Sequence, residues 1–176
     1  MQFVVDSKIA MNLVGIKQRL ERSSDDGGMN TDFDAFAYFR GCLQKKTNHK
    51  CYTLYTVLTN FTDDGYDYYI AINQNEPLWM DYQVQLSPEK ANEFELIAIP
   101  EGQYLVCITS CFRCPVDELN NMRRRAVTEW FSSANYELRD APEIGVIHWP
   151  QTKENISINH FGYCELWLPI IEKTRA

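Results

Sequence analysis

The sequence predicts an α+β domain made of two β-α-β-β units in tandem. Strand-like segments recur along the 176 residues, two segments place apolar residues at helical spacing, and the order strand, helix, strand, strand occurs once in each half. We therefore expect one domain over 1–176, with a first repeat at about 1–83 and a second at about 84–176. Such units can pair their antiparallel sheets with pseudo-twofold symmetry, leaving a central cleft between them and the helices outside.

The first half contains a predicted strand, helix and hairpin. Residues 9–19 alternate weakly between apolar and polar and favour a strand. Residues 31–46 begin with two N-cap candidates, Thr and Asp, and end with two lysines, which favours a helix. Two runs rich in Tyr, Thr, Val and Ile flank Asp-Asp-Gly at 63–65, which is a strong hairpin signal. The polar, proline-containing stretch 74–92 is typical of a connection between halves.

The second half repeats this order. Strand-like residues over 93–109 are interrupted at 100–102 by Pro-Glu-Gly, which is consistent with a bend or a bulge. Pro115 suits the first turn of a helix, and the acidic pair that follows favours the positive end of the helix dipole. Strands over 143–150 and 162–171 complete the unit. The apolar stripe of the helix, which ends near Phe131, consists of Leu119, Met122, Ala126, Val127 and Trp130.

Composition and charge exclude several classes of function. The 24 acidic residues outnumber the 17 Lys and Arg residues, and the resulting net charge of −7 repels a phosphate backbone. No apolar run is long enough to span a bilayer, and the first residues do not form an export signal. No nucleophile, phosphate-binding or metalloprotease motif occurs. We expect a cytoplasmic protein that binds neither nucleic acid nor a membrane directly and needs no metal or cofactor.

Several reactive side chains have an ordinary interpretation. Cys111 and Cys114 form a Cys-x-x-Cys pair before a helix, where the dipole can lower a thiolate pKa. No second such pair accompanies them, so we interpret the six cysteines as reduced and mainly structural. His148 is expected to make a hydrogen bond rather than to act as a base. The three arginines at 123–125 fan around a helix, so we predict a solvated face, with one of them able to supply a countercharge.

The last predicted strand carries a carboxylate among apolar residues. A strand period of two places Tyr163, Glu165 and Trp167 on one face. An acid between two aromatic rings suits a planar, hydrophobic cation, because each ring offers a cation–π contact of ~0.5–2 kcal/mol and the carboxylate offers a charge. The alternative is that this face is hydrated, because half-exposed strands also alternate in this way. The other face, which should be core, carries Cys164, Leu166 and Leu168.

Four segments together resemble a known family. Residues 94–106 contain Ile-Pro-x-Gly-x-Tyr, residues 126–146 contain a Trp, a Tyr and an Arg-Asp-x-Pro turn, and residues 164–170 contain Glu-x-Trp-x-Pro-Ile. In the first half, the Tyr-rich run 67–74 adds a weaker match. These segments resemble the GyrI-like small-molecule-binding family, of SOUL/Rob-like fold, which is related to effector-binding domains of AraC-type and MerR-type multidrug-responsive regulators.

The resemblance implies a ligand pocket between the two units. In that family an acidic residue surrounded by aromatic rings receives hydrophobic, cationic compounds, and the matching acid here is Glu165. The cysteine-rich loop around 110–115 departs from the family's pattern at the rim of this pocket. The predicted aromatic ligand-binding residues are Tyr104, Trp130, Tyr163 and Trp167, with Tyr68 or Tyr69 from the first unit.

The leading functional hypothesis is a free-standing effector-binding protein. The two repeats occupy the chain, so we expect no preceding helix-turn-helix segment. We predict that the protein binds or sequesters a hydrophobic, cationic small molecule, with a regulator as a candidate protein partner. One alternative is hydrolysis of reactive, cyclopropane-bearing compounds, with Glu165 directing water at the electrophile. The other alternative is a gyrase-inhibitor type of protein interaction.

Overall fold

The computed structural model of the protein describes most of both predicted units. The described residues are 1–21, 53–76, 79, 92–109, 115–148 and 162–174. The predicted helix over 31–46, the pair Cys111 and Cys114, and most of the predicted connection over 74–92 lie outside these residues.

The described residues form nine strands and one helix, which confirms the α+β class. The helix α1 spans Pro115–Arg125 and continues as a π-helix over Ala126–Trp130. The strands are β1 (Gln2–Lys8), β2 (Met11–Glu21), β3 (Thr53–Thr59), β4 (Gly65–Asn73), β5 (Glu95–Ile99), β6 (Gly102–Thr109), β7 (Tyr136–Leu138), β8 (Glu143–His148) and β9 (Tyr163–Glu172). The predicted hairpin around 63–65 is confirmed by β3 and β4, which pair with each other.

All nine strands belong to one antiparallel sheet. The strand order is β1-β6-β9-β8-β3-β4-β2-β5, and β7 pairs with β9 outside this path. The sheets of the two predicted units join into this one sheet because β3 pairs directly with β8, with Thr56 opposite Gly145. This pairing satisfies the backbone groups of two strands that would otherwise be exposed edges. A Cβ atom at Gly145 would lie 2.6 Å from Leu119, so the glycine lets α1 approach the sheet where the halves join.

Strands β1 and β2 pair with β6 and β5, respectively, and the two pairs form one bent ribbon that joins the two ends of the sheet. The sequence pattern predicted one strand over 9–19, whereas the structure has both β1 and β2 in this region. Lys8 of β1 lies opposite Gly102 of β6, and Met11, three residues after Lys8, lies opposite Ile99, three residues before Gly102. The pairing register of β1 with β6 therefore continues into the pairing of β2 with β5, across the bend between β1 and β2 and the bend between β5 and β6. The bend between β5 and β6 falls at the predicted position, and Gly102 has a φ of 154°, which suits glycine.

One face of the sheet, here called the helix face, is covered by α1. The predicted core positions Leu119 and Met122 of α1 are buried there, whereas Val127 is exposed. Arg123 donates from Nε to Oε2 of the buried Glu143 at 2.7 Å and from Nη2 to Oε1 at 2.9 Å. Arg123 thus supplies a countercharge to a buried acid, while Arg125 pairs with Glu129 where both side chains are exposed. The predicted core residues Cys164, Leu166 and Leu168 are buried on this face.

The opposite side, here called the Glu165 face, has a core of its own. Residues directly opposite each other in an antiparallel pair share a face, so the registers connect Glu165 through Val146 and Tyr55 to the first half of the chain. Trp167 packs against this second cluster. Its buried residues are Leu13, Val57, Tyr69, Ala71, Ile97, Ile99, Tyr104, Val106, Ile144 and Val146.

Candidate functional site

Glu165 lies on β9, an inner strand of the sheet that is flanked by β6 and β8. Its Oε2 accepts a hydrogen bond from Trp167 Nε1 at 2.8 Å, and its Oε1 lies 3.2 Å from His148 Nε2. The side chain of Glu165 is 18% exposed. Glu165 is therefore a partly buried acid that contacts two ring nitrogens, whereas Tyr163 on the same face is 43% exposed.

Three strands fix the orientation of His148. Its Nδ1 lies 3.4 Å from Thr53 Oγ1 on β3, and its ring stacks on Tyr163 of β9 with centroids 4.1 Å apart and planes at 13°. Thr53 and Tyr163 are the residues opposite His148 in the two strand pairings. His148 thus makes the hydrogen bond expected of it, and the partner on its Nε2 side is Glu165.

Trp167 connects Glu165 to two further groups. The Tyr104 ring meets it edge-on, with centroids 6.3 Å apart and an angle of 60°. The Lys8 ammonium lies 4.5 Å from the centroid of a Trp167 ring and pairs with Asp6 at 2.8 Å. The Trp167 ring beside Glu165 therefore already makes a cation–π contact with a lysine of the protein itself.

Tyr104 is held from two sides. Its hydroxyl donates to the Pro100 carbonyl at 3.0 Å, and the Arg139 guanidinium lies 5.6 Å from its ring centroid. Burial raises the pKa of Tyr104, against the opposing effect of the Arg139 charge. Tyr104 therefore remains a neutral phenol at physiological pH.

The contacts of Glu165 keep it ionised. Its hydrogen bond with His148 lowers the pKa of the carboxyl most, burial opposes this effect, and the Trp167 hydrogen bond and the charges of His148 and Lys8 lower the pKa further. Burial, followed by the charge of Glu165, raises the pKa of Tyr163. The group is thus a carboxylate beside neutral aromatic rings, which can attract a cation with delocalised charge.

A second carboxylate on the same face has similar neighbours. Glu95 of β5 accepts a hydrogen bond from Tyr69 OH at 3.1 Å and pairs with Lys17 at 3.5 Å. Lys17 Nζ lies 5.9 Å from the Tyr69 ring centroid. Burial and the neighbouring Glu95 raise the pKa of Tyr69 to about 12. Glu95 itself is 47% exposed, so this group is much more open to water than that of Glu165.

The predicted ligand-binding residues lie on both faces of the sheet. Tyr104, Tyr163 and Trp167 lie on the Glu165 face around Glu165, as described above. Tyr69 lies on the same face beside Glu95. The structure does not bring the other two predicted aromatic residues to Glu165: Tyr68 is buried in the core of the helix face, and Trp130 packs against that core while stacking on Tyr136 at 5.6 Å.

The sequence-based reasoning missed two members of the site, His148 as the partner of Glu165 and Lys8 as the cation over Trp167. Strand alternation could have placed His148 on a face, but only the register between β8 and β9 shows which face that is. Lys8 had no signal at all, because β1 was not predicted.

The described residues also bear on metal ligation, on membrane-spanning helices and on thiol reactivity. Within it, no group of three or more His, Cys, Asp or Glu side chains could hold a metal ion. No helix in the same residues has the length and apolar character that crossing a membrane requires. Cys107 is buried, and burial raises the pKa of its thiol to about 12, so it is not a reactive thiolate.

Solved structures share this fold over nearly the whole chain. SAV2435 bound to tetraphenylphosphonium has a TM-score of 0.61 at 16% identity, covering 97% of this chain and 94% of its own. An integron cassette protein from the mobile metagenome of Vibrio cholerae has a TM-score of 0.62 at 11% identity, covering 96% and 95%. The EcmrR C-terminal domain has a TM-score of 0.55 at 11% identity, covering 98% of both chains. A search of curated proteins gives no match.

The fold and the sequence together define the class of protein as an effector-binding domain. The model of one family matches residues 7–170, which is nearly the entire chain. The chain belongs to this family, Cass2, the integron-associated effector binding proteins. The predicted relationship to effector-binding proteins is thereby confirmed.

Proposed function

We propose that this protein binds hydrophobic organic cations on the Glu165 face. Membership of an effector-binding family supports small-molecule binding, and the likeness to SAV2435 bound to tetraphenylphosphonium supports a cationic ligand. Proteins that share a fold can bind different ligands, so the proposal depends on the chemistry of the residues themselves.

The observation that carries the proposal is the ionised, partly buried carboxylate of Glu165 beside aromatic rings. A charge at this depth interacts more strongly with a counterion than one in bulk water, because the effective dielectric constant is lower. Trp167 and Tyr163 flank the carboxylate on β9, and Tyr104 extends the aromatic wall. Together they offer a hydrophobic cation both a charge and ring surface.

The proposed ligand-binding residues are a subset of the residues predicted from the sequence. Glu165, Tyr104, Tyr163 and Trp167 form the proposed site, whereas Tyr69 lies on the same face beside the more exposed Glu95 and apart from these contacts. Tyr68 and Trp130 stay outside the proposed contact surface, because they contribute to the core of the helix face.

We also infer that the two halves are repeats with a cleft between them. Strands β2, β4 and β3 occupy the same relative order in the first half as β6, β9 and β8 in the second, counted from each outer strand toward the join. The location of α1 on the helix face supports the predicted arrangement with helices outside. In this proposal the whole chain is one domain, and the cleft lies on the Glu165 face.

The proposal is tested with two ions of nearly the same shape and opposite charge. Isothermal titration calorimetry at pH 7 would compare tetraphenylphosphonium with tetraphenylborate. We expect one saturable site for the cation and at least about tenfold weaker binding of the anion, because only the cation gains from Glu165. Equal affinity for both ions, or no saturable binding of the cation, would contradict the proposal.

Hydrolysis is less well supported than binding. A hydrolase would need Glu165 to take a proton from water, and a carboxylate whose pKa is held low is a weak base. Incubation with an electrophilic, cyclopropane-bearing compound followed by mass spectrometry separates the two functions. We expect the mass of the compound to stay unchanged, whereas addition of one water would indicate hydrolysis. A regulator or gyrase as protein partner stays a prediction.

A further inference from the structure

We propose that Lys8 is a specificity-determining residue of this site, because its ammonium group already occupies the cation position over Trp167 and a ligand must displace it. This inference rests on the proposed function. It adds the condition under which a cation can enter, and it narrows the class of cation that the site selects.

The geometry of Lys8 is that of a bound cation. Its Nζ lies 4.5 Å from the centroid of a Trp167 ring, within the range of cation–π attraction. The lysine side chain is only 21% exposed, so the contact is partly shielded from water. Trp167 in turn donates to Glu165, which places Lys8, the indole ring and the carboxylate in one connected group.

Lys8 is also placed so that it can leave. It is the last residue of β1, next to the bend where Ile9 is exposed. Asp6, two residues earlier on the same strand, pairs with the ammonium at 2.8 Å and is itself half exposed. A displaced ammonium can therefore keep a counterion while it moves into water, and displacement costs one cation–π contact rather than a buried unpaired charge.

This competition favours one class of ligand. A small alkylammonium ion offers Trp167 the same kind of contact as Lys8 and gains little by replacing it. A bulky cation with several aromatic rings contacts Trp167, Tyr104 and Tyr163 together and so gains more than Lys8 loses. We therefore infer selectivity for bulky, aromatic cations over small ammonium ions.

Lys17 provides a matched control on the same face. It also lies over an aromatic ring and also pairs with a carboxylate, but its distance to the Tyr69 ring centroid is 5.9 Å and its side chain is 39% exposed. A lysine that merely adds positive charge to the face should behave like Lys17.

The first test titrates the wild-type protein, Lys8→Met and Lys17→Met with tetraphenylphosphonium and with tetramethylammonium. Met keeps an unbranched side chain, one atom shorter than that of Lys, and removes the charge. We expect Lys8→Met to bind tetraphenylphosphonium about two- to thirtyfold more tightly and to gain measurable binding of tetramethylammonium. Lys17→Met should remain within about twofold of wild type. Unchanged or weaker binding by Lys8→Met, or an equal gain in both variants, would overturn the inference.

A second measurement uses the wild-type chain and separates failure of this inference from failure of the proposed function. Reductive ¹³C-methylation of the lysines gives each one an NMR signal, and the signal of Lys8 should be shielded by the Trp167 ring. We expect tetraphenylphosphonium to shift this signal to the position of a solvated lysine. Ligand binding that leaves the chemical shift of Lys8 unchanged would refute the role of Lys8 and leave the proposed function standing. No binding by wild type or by Lys8→Met would refute both.

Discussion

The groups around Glu165 and Glu95 contain the same parts and differ in their exposure to water. Each carboxylate accepts a hydrogen bond from an aromatic side chain, and each aromatic ring has a lysine over it. Glu165 is 18% exposed and Glu95 is 47% exposed. Exposed ion pairs contribute about 0–1 kcal/mol, because water screens them, whereas partly buried charges interact more strongly. Residue types alone therefore do not make a binding site, and burial decides between these two.

The difference has a structural cause. Glu165 lies on β9, which has a hydrogen-bonded neighbour on each side, and the rings of Tyr104 and Trp167 stand beside it. Glu95 is the first residue of β5, a strand at the end of the sheet path, and lies opposite Gly15, which has no side chain to cover it. The same chemistry is thus enclosed at one position and open at the other.

Removal of each charge should give the largest contrast between the two groups. We expect Glu165→Gln to weaken tetraphenylphosphonium binding by about tenfold or more, because the ligand loses a partly buried counterion. Glu95→Gln should change the affinity by less than about twofold. Calorimetric titration of both variants measures this, and similar losses in the two would mean that burial does not distinguish the groups.

Changes in the aromatic donors should give a smaller contrast. Trp167→Phe removes the N–H donor to Glu165 and the larger ring, so we expect binding to weaken by about three- to tenfold. In Tyr69→Phe only the hydroxyl that donates to Glu95 is lost, and binding should stay within about twofold. Intrinsic fluorescence and calorimetry serve as readouts. An intact affinity in Trp167→Phe would remove this residue from the proposed site.

The lowered pKa of Glu165 predicts how stability and ligand affinity respond to acid. Its folded-state pKa is lowered, so its contribution to stability is fully present above the unfolded-state pKa of about 4.3 and is lost as pH falls through the lower folded value. Ligand affinity should therefore hold down to pH of about 5. Thermal denaturation across pH 3–7 should show that Glu165→Gln removes part of the acid sensitivity. An identical pH profile in this variant and in wild type would contradict the lowered pKa.

The smallest effect is expected for the exposed ion pair. Lys17→Met and Glu95→Gln should each change the free energy of unfolding by no more than about 1 kcal/mol, because Lys17 and Glu95 remain accessible to water and salt. Urea denaturation at low and high salt measures this change. A loss several times larger would show that this group is structurally enclosed after all.

Much of the final strand could be predicted because strand alternation is local. The placement of Tyr163, Glu165 and Trp167 on one face, and of Leu166 on the other, follows from the period of two alone. The adjacent Tyr68 and Tyr69 show the limit of this reasoning. Both were candidates, yet Tyr69 lies on the Glu165 face and Tyr68 is buried on the helix face. Alternation requires them to diverge but does not say which one faces the site.

The sequence by itself determined the order of the helix and the strands other than β7 in the described second half, the family, and the alternation that sets Glu165 apart from the core. These properties depend on neighbouring residues or on local motifs. Only the tertiary structure decided which groups meet the carboxylate. His148 reaches Glu165 through the register of β8 against β9, and Lys8 reaches Trp167 through the ribbon that joins β1 to β6. Strand register is set by the sum of contacts across the whole sheet, so no single segment of sequence contains it.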